Sequence, residues 1–277
     1  MPLNFENLMR EDPVRKVAIE LEETRLQGVR SIQNYPDVHE RHRVFPAIFE
    51  DRQHKTILDV AAGVGCAAQR IQENYPADLL CNDITPTCLT ILQQLGMQTV
   101  SFDLDDDERP YPFPDGHFDA IISLATIEHL LHVDHHLREI HRILNNGGCL
   151  YLTSPNYAGL QYIPRYLLSG RSFLDPLSKS SRMRYEFYAH VRCFTYRTLL
   201  EFVSSFGFIP DTVYLALPEG STFYQQLYAN SKIKALAFRY GMMLMYRLLS
   251  PRWASEPILC FRKSGNKVDR RFRKVIL

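Results

Sequence analysis

A turn of small residues and a later aspartate could together bind a ligand that contains a nucleoside. Gly63 and Gly65 stand in the segment 59–68, where missing side chains let a ligand lie directly against the backbone. A helix that begins after Gly65 would also point N–H donors at an anionic group. Asp83 follows at about the distance at which dinucleotide-binding domains place a ribose-binding acid, and the segment from Gly63 fits the pattern G-x-G-x-x-A. The turn alone is therefore also compatible with a nicotinamide-binding domain.

A second set of side chains could carry out acid–base chemistry. Glu128 and His129 follow a predicted strand, and His190 lies just before a predicted helix. Imidazole titrates near neutral pH, so a histidine is suited to remove a proton from a hydroxyl nucleophile. His129 is the first candidate for this base. The other histidines near it are expected to lie mostly on a solvated helix face; they are His132, His135, His136 and His141.

Alternating strands and helices must position these groups. Apolar runs bounded by turn residues predict seven strands, at 56–60, 79–83, 99–103, 118–124, 149–153, 212–217 and 258–261. Amphipathic segments between them predict helices at 67–74, 86–95, 134–144 and 196–206. This alternation is typical of a doubly wound α/β fold with a mostly parallel sheet, in which ligands bind at the carboxyl ends of the strands. The glycine turn and the Glu128-His129 pair both fall at that edge.

Several motifs follow one another in the order found in a known enzyme family. They are Asp59-x-Ala-x-Gly-x-Gly65, Asp83, Asp103-Leu104, the block 112–121 (PFPDGHFDAI) and the block 144–150 (LNNGGCL). Over residues 50–217 the chain resembles class I S-adenosylmethionine (SAM)-dependent methyltransferases, and is similar to their small-molecule branch of ubiquinone and secondary-metabolite enzymes. It departs from them at Ala61, where the family often has glycine. The resemblance implies SAM as cofactor and a Rossmann-like, seven-stranded sheet with an antiparallel last strand.

The resemblance also implies roles for individual residues. Gly63 and Gly65 would lie under the methionine part of SAM, with Asp59 beneath the turn. Asp83 would accept hydrogen bonds from both ribose hydroxyls, since a carboxylate offers two acceptor oxygens. Asp103 would bind the adenine amino group. The expected cofactor contacts are Asp59, Ala61, Gly63, Gly65, Asp83, Ile84, Asp103, Leu104 and Ala125.

The Glu128-His129 pair and His190 resemble, in addition, the metal site of ubiquinone-pathway O-methyltransferases and small-RNA 2′-O-methyltransferases. That site carries the motif E-x-x-E-H and a later histidine, whereas this chain has Ala125 in place of the first acid. Loss of one carboxylate removes charge and an oxygen ligand from a site for a hard cation, so we expect no metal. We expect Glu128, His129 and His190 to be catalytic, with metal ligation and plain packing as the alternatives.

Composition limits the partners and the compartment. The 277 residues include 32 Lys+Arg and 31 Asp+Glu, so no global basic field favours nucleic acid. Six scattered cysteines without a C-x-x-C pair favour buried thiols in a reducing compartment. The chain shows neither a signal peptide nor a membrane-spanning stretch. We expect a cytoplasmic protein with a small-molecule acceptor and no DNA partner, RNA being disfavoured, and a homodimer is compatible with the sequence.

The expected organisation is an N-terminal helical lid (1–50), a SAM-binding domain (51–265) and a basic tail (266–277). A cap insert at 157–190 carries five basic and two acidic residues among many aromatic ones, which suits an anionic acceptor. An apolar helix at 222–250 contains Arg239 and Arg247 and is too short to span a bilayer. A buried helix or a dimer contact is the preferred interpretation. The alternative is that residues 232–249 lie on a membrane surface, near a lipid-linked acceptor.

Together these features predict a SAM-dependent methyltransferase that modifies oxygen or nitrogen of a small molecule of the secondary-metabolite, quinone or glycan type. Histidine-assisted deprotonation is the expected mechanism. Three other functions stay open: a nicotinamide-dependent oxidoreductase, a non-catalytic SAM-binding scaffold and an RNA methyltransferase. Binding of NAD would favour the oxidoreductase, and SAM binding without turnover would favour the scaffold.

Overall fold

The computed structural model describes residues 19–20, 22–171, 174, 177, 179, 187–263 and 272–277, and its centre is an eight-stranded sheet. The strands are β1 (Thr56–Asp59), β2 (Asp78–Asn82), β3 (Gln98–Val100), β4 (Phe118–Leu124), β5 (Leu144–Thr153), β6 (Phe208–Leu215), β7 (Ile258–Lys263) and β8 (Arg273–Ile276). Their order is β3-β2-β1-β4-β5-β7-β6-β8. Of these described strands, β7 alone runs antiparallel to its neighbours, β5 and β6. The mostly parallel α/β sheet and its antiparallel strand are thus confirmed.

The strand count is eight rather than the predicted seven. The extra strand, β8, lies within the segment expected to be a basic tail and pairs in parallel with β6. Val275 and Ile276 pack on opposite faces of the sheet, as successive strand residues must. The Lys274 ammonium donates to the carbonyl of Tyr246 at 2.8 Å. The basic residues led to the prediction of a charged tail, whereas their side chains bond to other groups at the edge of the sheet.

Helices cover both faces of the sheet. They are α1 (Glu40–Arg43), α2 (Cys66–Asn74), α3 (Pro86–Gln94), α4 (Val133–Ile143), α5 (Ile163–Ser169), α6 (Tyr196–Ser204), α7 (Thr222–Asn230) and α8 (Lys232–Leu248). Ile121 of β4 belongs to the core formed with α4 and α6, whereas Ile122 belongs to the core formed with α2. This alternation, with a period of two, buries β4 on both faces, as expected for a central parallel strand.

The N-terminal segment covers one end of the sheet. Residues 19–20 and 22–25 are helical, and residues 26–50 contain short helical turns and α1; residues 1–18 and 21 lie outside the described part. Leu26 packs in a small core with Val64 and Cys66, at the turn after β1. The Glu23 carboxylate accepts hydrogen bonds from the backbone N–H and the hydroxyl of Thr87, at 2.8 and 2.6 Å. The segment therefore lies beside the carboxyl edge of the strands.

Two further regions differ from the sequence prediction. The expected helix at 222–250 is divided into α7 and α8, because Ser231 is extended and its side chain caps α8. The described residues of the cap insert at 157–190 include α5 and a helical stretch at 187–189, whereas Phe173, Arg182, Arg184 and Tyr185 lie outside the described part.

Two findings bear on the compartment. The six cysteines are free, and all except Cys193 are buried. Within the described ranges, no helix is both long enough and apolar enough to cross a bilayer.

Candidate cofactor and catalytic site

The turn after β1 has the open backbone that a cofactor needs. Gly63 and Gly65 both have positive φ, at 56° and 87°, a region that favours glycine. A Cβ on Gly65 would lie 2.9 Å from Cδ2 of Leu92, so this glycine also allows α2 and α3 to approach each other. A Cβ on Gly63 would meet nothing within 4 Å. Gly65 is therefore required by packing, and Gly63 leaves the outer face of the turn free for a ligand.

Asp83, just after β2, holds this turn in place. One carboxylate oxygen accepts the backbone N–H of Gly63 at 2.9 Å, and the other accepts that of Thr85 at 2.8 Å. Burial raises the pKa of Asp83. Asp59 is also buried, and burial together with the nearby Asp83 raises its pKa to about 7. Two buried carboxyl groups thus lie close together beside an open turn, which favours a neutral or hydrogen-bond-donating ligand group here.

The third predicted acid lies at the next strand end. Asp103 follows β3, and its carboxylate accepts the backbone N–H of Asp105 at 3.0 Å. Leu104 is buried, and its carbonyl accepts the hydroxyl of Tyr111 at 2.9 Å. Because β3, β2 and β1 are neighbours, the structure brings Asp103, Asp83 and Asp59 to one edge in the predicted order.

Asn82 is a structural residue of this edge that sequence reasoning missed. Its side-chain amide donates to the carbonyl of Val60 at 2.7 Å, and its side-chain oxygen accepts the N–H of Phe102 at 2.9 Å. One buried amide thereby fixes the segments after β1 and β3 relative to β2. Its position at the end of β2, directly before Asp83, was the available signal.

The end of β4 carries a backbone distortion. Ala125 has a φ of 50°, which is uncommon for a residue with a side chain. Its N–H donates to the hydroxyl of Thr153 at 2.9 Å. The chain then enters a short 3₁₀ turn, Ile127–His129, that contains the predicted catalytic pair. Strain of this kind is common at functional sites, where the surrounding structure maintains it.

The two predicted histidines come together with Glu128. The carboxyl group and both imidazoles offer ligand atoms within 4.8 Å of one another. The two imidazole rings contact edge to face, with their centroids 4.7 Å apart. Nδ1 of His129 lies 3.0 Å from the carbonyl of Ala189, so that nitrogen carries the proton and Nε2 keeps its lone pair. Nδ1 of His190 lies 2.6 Å from the hydroxyl of Tyr157.

Burial keeps both imidazoles neutral. Loss of solvation lowers the pKa of His129 below its usual range. The same effect, with a contribution from His129, lowers the pKa of His190 to about 3. Neutral imidazole is the form that can accept a proton or bind a metal ion.

Glu128 is the most exceptional member of the cluster. It is fully buried, and neither carboxyl oxygen makes a hydrogen bond of normal geometry to any residue that the structure describes. Burial raises its pKa to about 8, so the group is protonated at neutral pH. Buried polar atoms without partners are rare and indicate a role beyond packing. One carboxyl group and two imidazoles could also ligate a divalent cation, so the expected absence of a metal stays a prediction.

An ion pair from the N-terminal segment reaches this site and was not foreseen. The Arg41 guanidinium donates to both carboxylate oxygens of Glu256, at 2.8 and 2.7 Å. Glu256 in turn accepts the hydroxyl of Thr153 at 3.1 Å, and Thr153 holds Ala125. The two charged residues are 215 positions apart, so no local spacing could have revealed the pair.

The expectation of a solvated histidine face on α4 is wrong for His136. This side chain is completely buried, and its Nδ1 lies 2.7 Å from the hydroxyl of Tyr111. Burial lowers the pKa of His136 to about 3. It follows Val133 by three positions and precedes Ile140 by four, so it falls on the apolar stripe of the helix. That spacing was a signal that the surrounding charges obscured.

Comparison with known proteins agrees with this geometry. Residues 58–152 match a family described as a methyltransferase domain. The chain therefore carries a methyltransferase domain over these residues. The match begins in β1 and ends in β5, so the methyltransferase domain includes the glycine turn, the three acids and the Glu128-His129 pair.

Curated relatives of this methyltransferase domain act on different compounds, according to their names. The chain is 32% identical to ajmaline N-methyltransferase of Rauvolfia serpentina over 38% of its own length and 37% of that protein. It is 33% identical to demethylmenaquinone methyltransferase of Thermus thermophilus over 41% of its length and 53% of the relative. A malonyl-[acyl-carrier protein] O-methyltransferase of Geobacter sulfurreducens is 29% identical over 44% and 48%. The chain thus matches about a third to a half of these relatives' lengths.

Solved structures share the fold of the methyltransferase domain. Phosphoethanolamine N-methyltransferase 2 of Haemonchus contortus, in complex with SAM, superposes with a TM-score of 0.55 at 14% identity, covering 95% of this chain and 60% of that one. The [4+2]-cyclase SpnF superposes with a TM-score of 0.54 at 17% identity, covering 92% and 96%. Since one of these similar structures is named a cyclase, the shared fold alone does not establish methyl transfer.

Proposed function

We propose that this protein transfers a methyl group from SAM to an oxygen or nitrogen atom of a small-molecule acceptor. The observation that carries the proposal is His129, a neutral imidazole with a free Nε2 in a buried polar cluster after β4. Strand β4 pairs directly with β1, whose following turn is open at Gly63. Methyl transfer requires a proton acceptor close to the bound cofactor, and the adjacent strands β1 and β4 bring these two features together.

The cofactor end of the site suits SAM. The oxygens of Asp83 accept the backbone N–H groups of Gly63 and Thr85, and the Thr85 hydroxyl also bonds to this carboxylate. A carboxylate offers about four acceptor positions, so one stays available for a ribose hydroxyl. The open face of Gly63 can take the methionine part, and Asp103 lies one strand further out for the adenine. When bound, SAM supplies an electrophilic methyl group on a positively charged sulfur.

The catalytic end provides the proton acceptor. Methyl transfer is an in-line displacement, so the protein must align the nucleophile and accept its proton as the new bond forms. Nε2 of His129 accepts that proton, while the Nδ1–H remains on the carbonyl of Ala189 and fixes the ring. Glu128 is protonated beforehand and takes up no further proton, so His129 alone holds the proton that the acceptor releases.

The acceptor is proposed to be a small molecule. This is supported by two of the named relatives, an ajmaline N-methyltransferase and a demethylmenaquinone methyltransferase. The neutral overall charge of the chain gives no support to a nucleic-acid acceptor. The cytoplasm is the proposed compartment, in keeping with six free cysteines.

The test is transfer of an isotopically labelled methyl group. The full chain would be incubated with methyl-labelled SAM and separately with small-molecule and RNA fractions of a cell extract. We expect label in a small molecule, identified by mass spectrometry, and almost none with His129→Ala. Label in RNA would replace the small-molecule assignment. SAM binding without label in either fraction would support the non-catalytic scaffold instead.

A further inference from the structure

Helix α8 presents an apolar stripe to the outside of the protein. Ile233, Leu236, Tyr240, Leu244 and Leu248 recur at spacings of three or four residues, so they share one face of the helix. Their exposed fractions are 82%, 44%, 57%, 56% and 72%. Contiguous exposed apolar surface on this scale marks a site of interaction. The structure therefore does not support the preferred expectation that this helix is mainly buried.

The opposite face fastens the helix to the protein. Ala235 and Tyr246 are buried, and Met242 and Met245 pack against the main core. The carbonyl of Tyr246 accepts the ammonium of Lys274 on β8. The helix is thus anchored along its inner face, and the apolar stripe points outward as a consequence of that packing.

The charge around the stripe has one sign. Residues 222–253 contain five basic residues and no acidic residue, in a chain whose net charge is only +1. Arg239 is paired with Glu219. The remaining basic residues are Lys232, Lys234, Arg247 and Arg252, all of which are exposed. Lys232 and Lys234 flank Ile233, where long side chains can lie along apolar surface and direct their charges to its border.

A second exposed apolar helix adjoins the end of α8. Leu167 and Leu168 of α5 are 74% and 88% exposed. The segment before α5 is joined to the 3₁₀ turn after α8, since the N–H of Leu160 donates to the carbonyl of Trp253 at 3.0 Å. The Arg252 guanidinium lies 4.8 Å from the centre of the Trp253 ring. Tryptophan beside arginine suits the boundary between water and lipid.

We infer that the apolar stripe of α8 docks this protein on the surface of an anionic phospholipid bilayer. An amphipathic helix with apolar residues on one face and basic residues around them lies in the headgroup region, held by both burial and charge. A second copy of this chain fits the face less well. A twofold contact would place Lys232, Lys234 and Arg247 of both copies close together, where like charges repel.

Docking of this kind would bring lipid near the proposed catalytic cluster. The side-chain amide of Asn156 donates to the carbonyls of Arg252 and Ala254, at 2.8 and 2.6 Å. The next residue, Tyr157, bonds to His190. An acceptor dissolved in the bilayer would thus enter beside His190, a consequence that rests on the proposed function, whereas binding to the bilayer does not.

The test uses the full chain and vesicles of phosphatidylcholine, alone or mixed with phosphatidylglycerol. Binding would be followed by flotation and by the emission of Trp253, the single tryptophan of the chain. We expect flotation and a shift of emission to shorter wavelength with the mixed vesicles only, both reduced by high salt. Leu244→Ser combined with Leu248→Ser should lower partition by about tenfold or more. Lys232→Gln combined with Lys234→Gln should lower it by roughly fivefold per charge.

Matched controls lie away from α8. Ile209→Ser removes an apolar side chain of β6 that is 43% exposed, and Lys55→Gln removes an exposed charge; neither should change partition. Urea unfolding of each variant shows that the sheet is folded, and SAM calorimetry is measured separately, so that failure of docking and failure of the proposed function are distinguishable. Absence of binding to mixed vesicles would overturn the inference, as would equal binding to both vesicle types. A dimer in sedimentation that the α8 leucine variant dissociates would assign the stripe to a second copy instead.

Discussion

The two ends of the candidate site are built in different ways. At the cofactor end, Asp83 and Asn82 bond to backbone groups of neighbouring strand ends, so the turn is fixed before any ligand binds. At the catalytic end, Glu128 is buried without a hydrogen bond of normal geometry to the described residues, and His129 keeps a free Nε2. The cofactor end is organised in advance, whereas at the catalytic end the Glu128 carboxyl group, near the Ser154 hydroxyl, lacks hydrogen bonds of normal geometry to the described residues.

Replacement of the proposed base should have the largest effect. We expect His129→Ala to lower kcat by about 10²-fold or more, because a positioned general base typically contributes that much. SAM affinity should change little, since most of the expected cofactor contacts follow β1, β2 and β3. His117→Ala, which removes an exposed histidine before β4, is the control and should leave kcat unchanged. Steady-state kinetics measure kcat, and calorimetry measures SAM affinity. Equal losses of kcat and of SAM affinity would show that the catalytic end and the cofactor end do not act independently.

Replacing Asp83, the proposed ribose-binding acid, should lower SAM affinity rather than kcat. We expect Asp83→Asn to weaken SAM binding by roughly tenfold to a hundredfold, since a hydrogen bond to a charged group contributes about 1.5–3 kcal/mol. Asp83→Ala should weaken it further, because the N–H of Gly63 also loses its partner. Asp78→Asn, at the exposed start of the same strand, is the matched control. Calorimetry that finds normal SAM affinity for Asp83→Ala would remove Asp83 from the cofactor site.

The pH dependence of stability should test the protonation state of Glu128 at the catalytic end. The pKa of Glu128 is raised to about 8, so its protonated form is favoured by folding. Its contribution is fully present below the unfolded value of about 4.3 and is lost as pH rises through 8. We expect Glu128→Gln to reduce the fall in unfolding free energy between about pH 5 and 8, as measured by urea unfolding. An identical slope over this range in the variant would mean that Glu128 is not protonated in the folded protein.

For two histidines with lowered pKa values, the pH dependence of stability has the opposite sign. The pKa values of His136 and His190 are lowered to about 3, so the unfolded chain binds protons that the folded chain does not. Stability should therefore fall as pH decreases from about 6.5 towards 4. His190→Gln should reduce this acid-side slope, again by urea unfolding. A slope that is unchanged in the variant would contradict the neutral state of His190.

The smallest expected effect is that of a chelator. With Ala125 in place of an acid, we expect EDTA to leave methyl transfer nearly unchanged. Activity would be measured before and after EDTA, with and without added Mg²⁺. Loss of activity that Mg²⁺ restores would reassign Glu128, His129 and His190 as metal ligands, and the cluster geometry would then describe a cation site.

The sequence was most informative where signals are local. Strand β4 was predicted with its observed bounds, and β1, β2 and the helices that follow them lie within two residues of expectation. A strand, a glycine turn and a helix each leave a pattern within a few residues, so the cofactor end could be assembled from neighbouring segments. The Glu128-His129 pair could be found for the same reason, because it directly follows a strand.

Features that depend on distant contacts were missed. The pair of Arg41 and Glu256 joins the two ends of the chain, and β8 is stabilised by its pairing with β6 rather than by a strong local pattern. The exposure of α8 likewise follows from what packs on its inner face. Periodicity identified the apolar residues of this helix, yet it could not show which of them would be covered.

The measurement that tests the central claim most directly is calorimetric titration of the full chain with SAM, S-adenosylhomocysteine and NAD. The open turn at Gly63 and the acids at three neighbouring strand ends lead us to expect one site for SAM and for S-adenosylhomocysteine. NAD should give no binding heat. Binding of NAD together with no heat from SAM would contradict the assignment as a methyltransferase and would favour a nicotinamide-dependent oxidoreductase.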